Sequence, residues 1–262
     1  MMSKFSKICC ILGGIVFAIG IILCIVGFSM GYSWNSNDMP RITSFFSSRV
    51  EGVSETVVYE EAIENAEAAE IAGDYSFSKN EIKKLDLNVR YGSLSIETHE
   101  SDDIIISMGL EDSGFACEKS GETLMLEDQR KGFDFDEPYV IVFVPQDMIF
   151  EEIHIEIGAG EAIVNGLNGA NASIAVGAGA LYGNGMSITE KTEIEVGVGS
   201  VQLFVPRNED NYNYNLSCGI GTIRIGGNEY TSVAGEKRID NNSEAEFIVD
   251  CGVGEVVLNF YE

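Results

Sequence analysis

Five segments of this 262-residue chain carry a Gly-x-Gly signature in one fixed phase, a periodicity that restricts the available folds more than any other feature. They are IEIGAGEAIV from Ile155, IAVGAGALYG from Ile174, IEVGVGSVQLFV from Ile194, LSCGIGTIRI from Leu216 and VDCGVGEVVL from Val249. The first glycines are Gly158, Gly177, Gly197, Gly219 and Gly252, and the second are Gly160, Gly179, Gly199, Gly221 and Gly254. The first glycines are spaced by 19, 20, 22 and 33 residues, so a coil of about 20 residues recurs. The long step carries an insertion, GGNEYTSVAGEKRIDNNSE, and VRYGSLSI (Val89 to Ile96) is a weaker, earlier copy.

Aligned on the glycines, Ile157, Val176, Val196, Cys218 and Cys251 form one apolar column, and Ala162, Leu181, Val201, Ile223 and Val256 form another. The residues between the glycines, Ala159, Ala178, Val198, Ile220 and Val253, form a third. Strand alternation predicts all three to face inward, with Glu156, Ala175, Glu195, Ser217 and Asp250 outward. One coil cannot bury its apolar columns alone, but stacked coils can. The reading is an all-β, parallel β-solenoid (a single-stranded β-helix) over residues 81–262. Each glycine pair supplies a corner that needs positive φ or close backbone approach. Pro145 and Pro206 follow apolar runs and mark strand ends.

Ahead of the repeats, residues 8–30 are uncharged over a length that spans a bilayer as a helix. They lack the short apolar region and small-residue cleavage site of a secretory signal. Cys24 follows Leu23, which is unsuited to lipoprotein processing. Lys4 and Lys7 precede the span and no base follows until Arg41, so residues 1–7 are expected in the cytoplasm and the remainder outside. Tyr32 and Trp34 suit the outer headgroup layer. The expected protein is therefore a single-pass component of the cytoplasmic membrane, with residues 31–80 as an extracytoplasmic linker holding a short helix over Glu60 to Gly73. All 42 acids and 14 of the 16 bases lie beyond residue 30, a balance that repels nucleic acid and anionic headgroups. It gives a soluble surface, or one that attracts cationic ligands.

The anchor, the stretch FSKNEIKKLDLNVRYGSLSIETHESDDIII (Phe77 to Ile106) and the repeated Gly-x-Gly coils together resemble the bacterial putative-adhesin family of unknown function. The likeness covers roughly residues 77–262. It implies a β-solenoid in the cell envelope, with a role in adhesion or envelope-stress sensing, and it brings no catalytic motif.

The residues give no chemistry that competes with this. Gly-x-Gly between two strands lacks the helix and Lys-Ser/Thr of a phosphate loop. Calcium-binding β-rolls need aspartates, whereas Glu161, Ala180, Ser200, Thr222 and Glu255 follow the second glycines. EDQRKGFDFDEP, with Asp134, Asp136 and Glu137, reads as a solvated loop or one weak ion site. His99 and His154 are the only imidazoles and show no metal or triad spacing. No enzyme activity, cofactor or resident metal is expected. A carbohydrate-active β-helix enzyme and a spacer or subunit of a membrane sensor complex are the alternatives. Cys218 and Cys251 share a column and should stack in adjacent coils, as a disulfide or as buried thiols. The C-terminal VVLNFYE has little after it, so its edge is expected to meet an envelope partner or a second copy, and the insertion is expected to loop out.

Overall fold

A computed structural model describes residues 75–108, 114–130 and 139–261. Twelve strands form one sheet system: β1 (Tyr75–Ser78), β2 (Lys84–His99), β3 (Asp103–Met108), β4 (Phe115–Ser120), β5 (Thr123–Asp128), β6 (Tyr139–Pro145), β7 (Phe150–Asn165), β8 (Asn168–Asn184), β9 (Ser187–Pro206), β10 (Asn213–Ile225), β11 (Asn228–Ile239) and β12 (Glu246–Tyr261). Short 3-10 turns at Lys79–Glu81 and Glu209–Asn211 are the only helical elements among the described residues. The fold is all-β. Both β6 and β9 end on their prolines, which need donate nothing there. The expected span 8–30 and helix 60–73 lie outside the described residues. No described helix is long and apolar enough to cross a membrane. The sheet begins at Tyr75, inside the stretch read as linker, because Tyr75–Ser78 pairs antiparallel with Ser78's partner Asp103 and its neighbours through Ile106.

The repeats set the register. Four residues after β7 ends at Asn165, Gly169 already lies beside Phe150, so β7 and β8 pair in parallel at an offset of 19 residues. β2, β7, β8, β9, β12 and β10 pair in parallel, and Gly92, Gly160, Gly179, Gly199, Gly254 and Gly221 align in one row across them. Ile153, Ile155 and Ile157 before the glycines of β7, and Ala162 and Val164 after them, are all buried in one apolar cluster. Residues on both sides of the glycine pair thus contribute to one core.

The order of the last strands departs from the chain order. The C-terminal β12 sits between β9 and β10, pairing in parallel with both. The insertion does not loop out; as β11 it returns antiparallel along β10, from Tyr214–Ile239 to Ile225–Asn228. The expectation of a bare edge at VVLNFYE is therefore corrected: β12 pairs with β10 as far as Leu258 and with β9 as far as Tyr261, and the strand at this end of the sheet is β11. Glu229, Glu236, Lys237 and Arg238 are exposed along it, charges that discourage addition of a further strand. At the opposite end, β2 divides its partners. Lys84–Asn88 pairs with β5, backed by β4, and Ser93–His99 pairs with β6, backed by β3 and then β1.

The column between the glycines is also corrected. Val198, Ile220 and Val253 are exposed by 57%, 61% and 44%, and Ala178 is exposed as well. Alternation fails there because the chain turns a corner at the pair. Ile157 before it and Ala162 after it both point inward, five positions apart, so the inward phase changes from odd to even residue numbers and the middle residue is left outside.

Candidate binding surface

Each glycine pair does two separate things. At the second position φ lies between +144° and +151° in Gly160, Gly179, Gly199, Gly221 and Gly254, a region that side chains strongly disfavour. A Cβ there would also press into the carbonyl oxygen of the equivalent glycine on the neighbouring strand. The first position needs only the close approach: a Cβ on Gly177, Gly197 or Gly219 would lie 2.5 Å from the oxygen of Gly158, Gly177 or Gly252, and Gly158 and Gly252 are similarly crowded. The result is a corner without side chains at either glycine, from which the middle residue projects. Ala159, Ala178, Val198, Val253 and Ile220 line up on adjacent strands as a continuous apolar row on the outer surface.

The row is closed at its first coil. Tyr91, the equivalent residue of β2, lies under the Arg130 guanidinium, 3.7 Å from its ring centroid, and Arg130 also stands 4.7 Å from the Phe115 ring centroid. Arg130 is held by Asp128, whose side chain is fully buried, through Nε–Oδ1 at 2.7 Å and a second ion-pair contact from the guanidinium. Asp128 further accepts from the backbone amides of Arg90 at 3.0 Å and Arg130 at 3.1 Å. Burial pushes the Asp128 carboxyl up, but the donors and charge of Arg130 outweigh it and hold the group below the ordinary carboxylate range. The sequence reading missed this latch. It saw only a charged loop, and Asp134, Asp136 and Glu137 of that loop lie outside the described residues.

Cys218 and Cys251 are register partners, both buried, and both thiols are free. Burial, then the adjacent Cys218 thiol, pushes Cys251 up to about 11. Half-buried Cys117 is pushed to about 12 by burial and Glu118. Iodoacetamide at pH 8 is therefore expected to leave Cys218 and Cys251 unmodified in native protein, and to alkylate both after denaturation. Mass spectrometry of the peptides checks this, and rapid native labelling of either would contradict the packing.

No grouping of three or more metal-ligating side chains occurs among the described residues. His99 Nε2 lies 2.8 Å from the Asp103 carbonyl oxygen, and His154 stands 3.9 Å from Glu156. The two imidazoles are not brought together, since Asp86 rather than His99 is the β2 partner of His154.

Past the corner, another outward face follows. Tyr182 is exposed by 41%, and its ring centroid lies 5.6 Å from that of Phe204 at a tilt of 53°. Buried Leu181 precedes the tyrosine, and buried Leu203 and Val205 flank the phenylalanine, which fixes both rings outward.

These features define a class: an all-β repeat domain with glycine corners and an apolar row on its surface. Its fold is similar to that of a putative cell adhesion protein from Clostridium sporogenes, at 16% identity and a TM-score of 0.51, covering 71% of this chain and 97% of that one. A putative adhesin from Bacteroides fragilis aligns at 13% identity over 70% of this chain and 95% of that one, with a TM-score of 0.25. No family model matches the sequence, and no curated protein does.

Proposed function

We propose that this protein is a non-enzymatic, adhesin-like binding module of the cell surface, its coils forming a parallel β-solenoid held outside the cytoplasmic membrane by residues 8–30. The observation that carries this reading is the exposed row Ala159, Ala178, Val198, Val253 and Ile220. Three of its five members are large β-branched residues at 44% exposure or more, in an otherwise strongly acidic chain. Contiguous exposed apolar surface of this kind marks interaction sites. A rigid register presents it as a repeating line, which suits an extended partner. The named likeness to a cell adhesion protein agrees with a surface role but carries only the fold.

Two measurements test the reading. Protease added to intact cells should remove a C-terminal epitope of the full-length chain while a cytoplasmic control survives; persistence of the epitope until lysis would overturn the placement. Full-length protein carrying Val198→Glu, Ile220→Glu and Val253→Glu should keep the parent circular dichroism. It should lose retention on envelope fragments by about tenfold or more. Unchanged retention would remove the row as the binding surface.

A further inference from the structure

We infer that the outward face just past the glycine corners of β7, β8, β9 and β12 is a platform for an uncharged linear polysaccharide. The inference rests on reading the domain as a binding module and assigns that module a ligand class. The row nearest the corner is Glu161, Ala180, Ser200 and Glu255, and the next outward row is Ile163, Tyr182, Gln202 and Val257, in each case register partners on four adjacent strands. The next row includes Asn184, Phe204 and Asn259, again partners in sequence across the sheet. Glu161 and Glu255 carry charge at the two flanks of the face, on β7 and β12, whereas on β8 and β9 between them Ala180, Ser200, Tyr182, Gln202, Asn184 and Phe204 are all uncharged, in a chain with 42 acids and 16 bases.

The charges that border the face are already engaged. Glu97 accepts from the Asn165 amide at 3.0 Å, and Glu255 is ion-paired with Arg224. The uncharged centre on β8 and β9 gives a cationic or anionic ligand no partner of opposite sign in contact, and such a ligand must still shed its hydration to bind. What it offers instead is a ring pair and side-chain amides. Apolar C–H faces of a sugar ring stack on aromatic rings, and each amide both donates to and accepts from hydroxyls. Tyr261, 44% exposed, borders the face and directs its hydroxyl toward Gly185 after β8.

The geometry favours a polymer over a single sugar. Rows run across the strands at about 4.8 Å per strand, so a chain laid along them meets stacking and amide positions in succession. A second copy is the weaker occupant, because apposing two such faces brings together two domains with a large surplus of acids.

The test is affinity electrophoresis of the full-length chain in detergent micelles, through native gels containing hydroxyethyl cellulose, soluble starch or galactomannan. An uncharged polymer leaves the protein's mobility unchanged unless it binds. At least one polymer should retard the parent chain, and carboxymethyl cellulose should retard it less than hydroxyethyl cellulose. Tyr182→Ala and the milder Tyr182→Gln should weaken retardation by tenfold or more, with parent circular dichroism. Glu236→Gln, exposed on β11 and outside these rows, should leave it unchanged. No retardation by any of the three, equal retardation of the Tyr182 variants, or self-association that Tyr182→Ala abolishes would overturn the inference. Because the assay uses purified chain, its failure is distinct from failure of the protease test of cell-surface placement.

Discussion

Gly199→Ala should lower the stability of the repeat domain by about 3 to 5 kcal/mol, the range that separates a specific structural lesion from an ordinary surface change. Two costs add. Gly199 has φ of +148°, a conformation costing a non-glycine residue on the order of 1 to 3 kcal/mol. Its new methyl group would also collide with the Gly179 carbonyl oxygen. That oxygen cannot retreat freely, since a Cβ on Gly179 would itself press into Gly160, and one on Gly254 into Gly199. Relief therefore requires opening the parallel ladder over several coils. Gly227→Ala is the control: a Cβ there meets nothing within 4 Å and no positive φ is involved, so a change within about 0.5 kcal/mol is expected. Urea unfolding followed by circular dichroism checks both. Equal midpoints for the two variants would show that the corner is not packed as described.

Arg130→Met should cost about 3 to 5 kcal/mol, because it leaves the fully buried Asp128 carboxylate without its counter-ion. The methionine also loses the stacking over Tyr91 and Phe115. Replacing both partners, Asp128→Leu with Arg130→Met, should restore much of the loss, since no uncompensated charge is then buried. The acid dependence has a definite sign. The folded carboxyl is held below its unfolded value, so the unfolded chain takes up the proton first as pH falls. The contribution is complete above the unfolded value of about 3.9 and is lost as pH drops toward the folded one. Urea midpoints of the parent and of Asp128→Asn should therefore converge as pH falls below about 4. A gap that stays constant to pH 2.5 would mean that the ionised form is not what stabilises the fold.

The register of the domain was legible because glycine has few substitutes where a Cβ would strike the next coil. Gly158, Gly177 and Gly197 mark successive coils from sequence spacing alone, and Cys218 and Cys251 do stand side by side. Two features were not legible, each for a physical reason. The 33-residue step says that something is inserted, but a hairpin along β10 followed by entry of β12 between β9 and β10 has the same glycine phase as a looped-out insertion. The outward placement of Val198 and Ile220 depends on where the inward phase changes at the corner, and apolar residues on both sides of a bend do not reveal it. Tyr182 and Phe204 become neighbours on a surface only after that change is known. The Asp128–Arg130 latch left no trace in composition, since an acid and a base two residues apart in a loop ordinarily face solvent.

The proposed binding surface depends on the order in which the repeat strands pair, and spin labels along the exposed row test it directly. In full-length protein one nitroxide is placed by Ala159→Cys and the second, in turn, by Ala178→Cys, Val198→Cys, Val253→Cys or Ile220→Cys, with all six natural cysteines replaced by serine or alanine. Electron paramagnetic resonance distances should rise in that order by about 4.8 Å per step, reaching about 19 Å at residue 220. Residue 253 should lie nearer to residue 159 than residue 220 does, although it comes 33 residues later in the chain. Distances that follow chain order, with residue 253 the farther, or that show no regular increment, would contradict the parallel stack and the surface built on it.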